Sequence, residues 1–315
     1  MSLRIVSLLP SATEIVCALG LRDALVGVSH ECDFPADVVG LPVLTRAKLD
    51  ASRPSADIDR DVRTLLADGL GLYAIDVDRL RDLQPDLIVT QDQCDVCAVS
   101  YDTVRDAVRQ LAHPGTEIVS LRPARLEDVW HDVETVAEAA GIAPRGRAVA
   151  NGLRARVSAL AERTAALPLR RLACIEWLAP LMAAGNWVPD LAAAAGGTST
   201  LASPGAHSTW LEWQALVDDR PEVLCAMPCG FTLARTVAEL SELLREPRGQ
   251  ALPAVRSGRV FAVDGSSYFN RPGPRLAESA EILAGILHPT ELGHLAPAGA
   301  LQLVACGQAS GVSVA

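Results

Sequence analysis

The sequence has no run near the ~20 consecutive apolar residues that a bilayer-spanning helix needs, so no such helix is expected. Positive charge is in deficit: 28 Lys and Arg stand against 38 Asp and Glu, a net charge of −10. A chain of this sign has no general basic face for phosphate, which argues against nucleic acid as its main partner. Glycine-rich phosphate motifs are missing as well. There is no P-loop and no nucleophile-elbow serine, and the turn after the first strand reads Leu9-Pro10-Ser11-Ala12-Thr13 where a dinucleotide site would carry glycines. Catalysis is therefore the weaker class. Aromatic residues make up only 4% of the chain, so each of the five Trp has to be placed individually. A secretory leader is not recognisable, because the apolar stretch Ile5–Leu9 is too short for its core and no small-residue cleavage site follows. The expected location is the cytoplasm, or the periplasm where a leader precedes this sequence. In the cytoplasm, eight cysteines are reduced thiols or ligands rather than a disulfide framework.

What is present is enough apolar material for two domains: 315 residues, half of them hydrophobic. The most informative stretch is Asp86 to Ser100, DLIVTQDQCDVCAVS. Leu87–Thr90 is short, apolar and partly β-branched, which predicts a buried strand. It turns polar at Gln91-Asp92-Gln93 and delivers Cys94 and Cys97 to the start of a helix with apolar spacing Val99, Val104, Val108, Leu111. Open α/β sheets bind ligands at such strand-to-helix loops. The helix amino terminus there favours an anion or a thiolate.

The rest of the first half alternates in the same way. Arg4–Leu9 is a strand. Ser11 and Glu14 form a Ser-x-x-Glu capping box for the helix Ala12–Leu19, which Gly20 ends. A strand at Ala24–Val28 runs into Ser29-His30-Glu31-Cys32-Asp33-Phe34-Pro35, and Val43–Ser55 is irregular. Helices follow at Ala56–Ala67, Val77–Leu83 and Leu126–Ala140, with a strand at Glu117–Leu121. The β-α alternation predicts a mostly parallel, doubly wound sheet. Pro144–Leu167 is a long helical run, read as a connector.

The second half repeats the plan. Strands fall at Arg171–Trp177, Leu181–Ala184, Val223–Met227 and Val260–Val263, with helices at Leu191–Ala195, Ser208–Leu216, Thr232–Leu244 and Leu276–Leu287. Pro85-Asp86-strand-cysteine loop and Pro221-Glu222-strand-cysteine loop are one phrase written twice, which predicts two similar lobes facing one cleft. The expected domains are 1–143, a connecting helix 144–168, a second lobe 169–288 and a loosely packed tail 289–315.

Four stretches, RIVSLLPSATEIVCALG, LQPDLIVTQ, RPEVLCAMPCGF and AVDGSSYFNRPGPRL, make residues 4–288 resemble the class III periplasmic substrate-binding proteins. Within these, the resemblance is to the cobalamin- and siderophore-binding group that serves ABC importers. The resemblance implies an α/β fold of two Rossmann-like lobes joined by a rigid interlobe helix. It also implies a large flat ligand held between the lobes by aromatics and backbone, without catalysis. Cobalamin or another corrinoid is the implied ligand. It further implies docking on a transporter permease through one acidic residue on each lobe. The matching helix starts carry Asp78 in the first lobe and Gln214 in the second, and no leader precedes the first strand, so both departures argue against such a partner.

The strand ends on the cleft side supply the candidate ligand-binding residues. In the first lobe these are Ser11, His30, Glu31, Cys32, Gln91 and Asp92; in the second they are Glu176, Trp177, Trp187, Phe231, Tyr268, Asn270 and Arg271. Trp177, Trp187, Phe231 and Tyr268 suit a stacking wall, or else packing. Arg271 and Arg275 offer planar forks for carboxylate or phosphate, or cap a helix. The thiols Cys32, Cys94, Cys97 and Cys229 form a candidate metal set for zinc or iron, and such a group can also serve as an axial ligand to a chelated metal. The competing reading makes Cys94 and Cys97 a cap thiol and a core thiol. Cys17, Cys174 and Cys225 read as core. A cytosolic metal-binding protein, or a metal-dependent enzyme built on these cysteines, is the alternative function.

Overall fold

The computed structural model describes residues 3–67, 72–91 and 115–304. These divide into two compact units. The first is drawn from Met1–Arg53, Asp57–Arg156 and Arg271–Arg275, and the second from Pro54–Ala56, Val157–Asn270 and Leu276–Ala315.

In the first unit, β1 (Ile5–Ser7), β2 (Leu25–Gly27), β5 (Leu87–Gln91) and β6 (Glu117–Leu121) form a parallel sheet of order β2-β1-β5-β6. All five residues of β5 are buried, the continuous burial expected of a parallel strand covered on both faces. The chain leaves β1 toward β2 and later returns on the other side of β1 as β5. The strand order therefore reverses between β1 and β5, which is where open α/β sheets leave a crevice at the carboxyl ends. Val6, Leu8, Leu44, Leu80 and Ile88 form a core on this sheet.

Helix α1 (Pro10–Ala18) departs from the sequence expectation. Pro10 opens the helix with Leu9 as the cap residue, and no side chain caps the start. Proline is preorganised for the first helical position and lacks an N–H that would need a partner. Ser11 thus lies inside the helix, and the expected capping box with Glu14 does not form. Gly20, at φ +69°, closes the helix in a conformation that other residues rarely adopt.

A second difference is an antiparallel ribbon, β3 (Thr45–Ala47) with β4 (Tyr73–Ile75), in a region read as irregular. Each strand has three residues, too short for a readable alternation, and the partners are far apart in sequence. Helices α2 (Ser55–Ala67), α3 (Val77–Leu83) and α4 (Leu126–Ala139) match the periodic segments. Helix α5 (Ala143–Thr164) has 22 residues, ~33 Å of helix, and the unit boundary falls within it.

In the second unit, β7 (Arg170–Leu178), β11 (Val223–Ala226) and β12 (Val260–Val263) run parallel at the centre. On one side the sheet extends through β8 (Leu181–Ala183) to β10 (Thr209–Trp210), both antiparallel, and β9 (Gly197–Thr198) pairs with the start of β7. Helices α6 (Val188–Ala194), α7 (Trp213–Asp219) and α8 (Leu233–Arg245) flank these strands in the chain. Helix α8 buries Thr236, Leu240 and Leu244, one stripe at helical spacing. The segment expected to be helical from Ser208 contains the edge strand β10 first and becomes helical only at Trp213. Two short helices, α9 (Pro247–Gln250) and α10 (Pro253–Arg256), precede β12, and α11 (Leu276–Leu287) is buried along most of its length.

The described part of the expected loose tail, residues 289–304, packs on the second unit. After α12 (Pro289–Leu292), β13 (Leu301–Leu303) pairs antiparallel with β12, and Leu292, Ala300 and Val304 are buried. Its Ala/Gly-rich composition hides three strand residues that need β12 to pair.

The repeated phrase has a structural basis in each unit. Helix α3 ends on Gln84 and α7 on Arg220, both in the left-handed conformation at φ 42° and 51°. A proline follows each, since it cannot continue a helix. Asp86 then exchanges backbone and side-chain hydrogen bonds with Arg4 beside β1, and Glu222 does the same with Arg171 in β7. The acidic residue therefore fixes the register of the new strand against its neighbour. Among the described residues, no helix is long and apolar enough to cross a membrane.

Candidate functional site

At the carboxyl ends of the first unit's strands, the chain builds a network around a buried acid. Glu14 is 3% exposed and is held by Arg275, whose Nε donates to Oε2 at 3.0 Å while Nη2 donates to Oε1. Burial raises the Glu14 pKa even though the Arg275 and Arg271 charges oppose it. Arg271 donates through Nη1 and Nη2 to the two oxygens of Asp33, at 2.5 and 3.2 Å, and through Nη2 to the Glu31 carbonyl. Burial alone would lower the Arg271 pKa, but Asp33 and Glu14 raise it overall. The Arg275 guanidinium lies 4.0 Å from the centroid of the half-exposed Phe34 ring.

These contacts revise the sequence reading of the two arginines. Both forks are engaged by carboxylates of their own unit, so neither is free for a ligand anion. Gly273, between them, packs against Ser11, and a Cβ there would touch the Ser11 backbone and side chain at 3.5 Å. The Ser11 hydroxyl is buried without a hydrogen-bond partner.

His30 follows β2. Its backbone N–H donates to Thr45 Oγ1 at 3.0 Å, and its Nδ1 lies 2.7 Å from the same oxygen. The Tyr73 ring flanks it at 5.5 Å between centroids. Partial desolvation lowers the imidazole pKa and favours the neutral ring. Glu31 is exposed and its N–H donates to Ser29 Oγ. Cys32 is buried, its sulfur accepts from Thr13 Oγ1 at 3.1 Å, and burial pushes its thiol pKa up. Gln91 closes β5 as a buried polar residue. Asp92, Cys94 and Cys97 lie outside the described residues.

In the second unit the aromatic candidates separate into two roles. Trp187 is buried and donates Nε1–H to the Phe269 carbonyl at 2.8 Å, a packing contact. Phe231 is also buried, with its ring and that of Trp177 in a T-shaped contact at 5.3 Å between centroids and the Arg235 guanidinium 3.5 Å from its own centroid. Asn270 is likewise structural: its amide donates to the Met227 and Gly265 carbonyls at 2.8 and 3.0 Å. Tyr268 is half-buried. Glu176 bulges out of β7 and accepts from Ser208 Oγ at 2.6 Å. Cys229 is half-buried just beyond β11, with its N–H on the Glu176 carbonyl.

A feature that sequence reading missed lies beside this group. Trp177 in β7, Met182 in β8 and Trp210 in β10 are register partners across three strands. Directly opposed residues share a sheet face. With strands about 4.8 Å apart, the row spans ~10 Å, and Trp210 is 52% exposed at its outer end. Trp210 carries no distinguishing sequence signal, because its strand has only two residues. Likewise, Thr45 and Tyr73 gave no sign that they hold His30, because their strands were not legible.

The expected metal set does not fall within one unit of the described residues. Cys32 belongs to the first unit and Cys229 to the second, Cys94 and Cys97 are not described, and no group of three or more His, Cys, Asp or Glu among the described residues can hold a metal ion. Cys174 and Cys225 are core thiols, the first pushed by burial up to about 12. Cys17 is only half-buried. The Gln214 amide reaches Asp218, and the Asp78 carboxylate reaches Arg81 from an exposed position.

Comparison with known proteins adds four findings. The sequence pattern of the family described as "Periplasmic binding protein" matches residues 5–266. A protein named "Vitamin B12-binding protein", from Vibrio parahaemolyticus, is 24% identical over 274 residues, covering 86% of this chain and 84% of that one. Among solved structures, the periplasmic vitamin B12 binding protein of Vibrio cholerae shares the fold, with a TM-score of 0.64 at 21% identity over 90% of this chain and 96% of its own. A periplasmic heme binding protein from Pseudomonas aeruginosa does so with a TM-score of 0.68 at 20% identity over 92% and 94%.

Proposed function

Because this chain belongs to the periplasmic binding protein family, whose members bind substrates without transforming them, we propose that it is a corrinoid-binding protein of an ABC importer. The Trp177–Met182–Trp210 row carries the reading. It offers a planar ligand an apolar row on one face of the sheet, with an indole at each end for stacking. The relative from Vibrio parahaemolyticus, aligned over most of both chains, supports a corrinoid in particular. The reading takes the periplasm as the compartment, in keeping with that of the structural relatives.

The test is a titration of the full chain with hydroxocobalamin, followed by visible absorbance and equilibrium dialysis, with haemin as a competitor. One equivalent of corrinoid should bind saturably and resist displacement by haemin. Trp210→Ala should weaken binding about tenfold, the loss of one stacked aromatic at ~1.4 kcal/mol. Trp177→Ala combined with Tyr268→Ala should weaken it further. Unchanged affinity in all of these variants would remove the stacking strip from the site, and preferential uptake of haemin would replace the corrinoid as the ligand.

A further inference from the structure

Resting on the corrinoid reading, we propose that His30 is an axial ligand to the metal of the bound chelate, through Nε2. The first observation is its mounting. One buried hydroxyl, Thr45 Oγ1, meets both the His30 backbone N–H at 3.0 Å and Nδ1 at 2.7 Å. Backbone and ring are thus pinned to the same atom. Tyr73 flanks the ring from the paired strand, at 5.5 Å and a tilt of 50°. Thr45 and Tyr73 come from the two strands of the β3–β4 ribbon, so a separate piece of structure holds this one imidazole.

The second observation is what the mounting leaves over. His30 is exposed, and no hydrogen bond to its Nε2 occurs among the described residues. A metal-bound histidine ordinarily donates its other ring N–H to an acceptor, which fixes the tautomer and the ring plane. Thr45 Oγ1 has two lone pairs and can accept the backbone N–H and Nδ1–H together. The tautomer so selected carries its free lone pair on Nε2. His30 also lies just past the carboxyl end of β2, at the end of the sheet where α/β folds bind ligands.

The third observation concerns the kind of metal. A bare ion needs several protein ligands, and no suitable group of His, Cys, Asp or Glu exists among the described residues. A macrocycle brings its own four equatorial nitrogens and leaves only axial positions for the protein, so one well-mounted imidazole suffices. Cys32, two residues on, is a poor competitor, because its sulfur is buried and already accepts the Thr13 hydroxyl. The step is a ligand exchange. The metal–oxygen bond to a coordinated water breaks, the metal–Nε2 bond forms, the water leaves with both protons, and no electrons are transferred.

The experiment compares aquocobalamin, which has an exchangeable axial water, with cyanocobalamin, whose cyanide blocks that position. The full-length wild type should bind aquocobalamin with a shift of its visible bands, as nitrogen replaces oxygen on cobalt. His30→Ala should bind it without the shift and at least tenfold more weakly, while its affinity for cyanocobalamin stays equal to that of the wild type. Retained cyanocobalamin binding also shows that the variant is folded. Thr45→Val should keep the band shift but weaken aquocobalamin binding, since the ring loses its orienting partner. An unshifted spectrum in wild type, or the same shift in His30→Ala, overturns axial ligation while leaving corrinoid binding intact. Failure of the wild type to bind either cobalamin overturns the corrinoid reading itself, and this inference with it.

Discussion

A carboxylate buried as deeply as Glu14 needs a compensating charge, and Arg275 supplies it in fork geometry, with Arg271 3.5 Å away. The carboxyl pKa is nonetheless raised by burial. For this carboxyl, removal from water outweighs the pull of the two arginines. Two consequences follow. Glu14→Ala alone removes the carboxylate that engages the buried Arg275 guanidinium and should destabilise the protein by about 3–5 kcal/mol. Replacing both partners, Glu14→Leu with Arg275→Met, should restore most of that loss. Denaturant unfolding checks this by a lowered midpoint at constant slope for the single variant and recovery for the double. Equal midpoints for wild type and Glu14→Ala would mean that the pair contributes nothing. The sequence displays the residues of this network but not their pairing. Ser-x-x-Glu ahead of an apolar run has an ordinary local explanation as a cap, and the true partner of Glu14 is 261 positions away.

At the scale of elements, α4 shows a conflict within a regular pattern. Leu126, Val129, Trp130, Val133, Val136 and Ala137 form its buried stripe, and Asp132 lies on the same arc. One Asp132 carboxylate oxygen is buried without a partner. Burial, reinforced by the charge of Asp128, pushes its pKa from 3.8 up to about 7. The folded state thus holds a proton that the unfolded chain releases. Stability from this group is full below 3.8 and is lost as pH rises through about 7. Asp132→Asn removes the ionisation while keeping the shape. It should leave the melting temperature unchanged near pH 4 and raise it at pH 8, by a stability gain of order 4 kcal/mol at most. Thermal melts across that range test it, and parallel curves at every pH would sink the assignment. Legibility followed length and locality. The runs at Ile5, Leu87 and Val223 and the periodic helices declare themselves, because burial repeats along the segment. β3, β4, β10 and β13 have two or three residues each and exist only because a distant partner pairs with them. The mounting of His30 and the exposed end of the tryptophan row both depend on those short strands, so most of the candidate site was less legible than the fold.

For the molecule as a whole, the telling feature is the path of the chain. Arg271–Arg275 belongs to the first unit, while Asn270 before it and Leu276 after it belong to the second. Asn270 is fixed by two hydrogen bonds to carbonyls of the second unit, and Leu276 is fully buried. The segment that neutralises Glu14 and Asp33 is therefore anchored at both ends by a fold other than the one it completes. If the second unit unfolds, those anchors are released, and the ordering entropy of holding five residues in place falls entirely on the first unit. Losing the segment would leave Glu14 buried and unpaired. The stability of the first unit thus depends on the second being folded. Scanning calorimetry of the full chain should show one cooperative transition, with calorimetric and van't Hoff enthalpies in agreement. Arg271→Ala with Arg275→Ala cuts the dependence by removing what the segment supplies, so that Glu14 lacks its cations whether or not the second unit is folded. This variant should melt in two steps, the first unit at the lower temperature. Two resolved transitions in the wild type, or a single unchanged one in the double variant, would show that the returning segment does not couple the units.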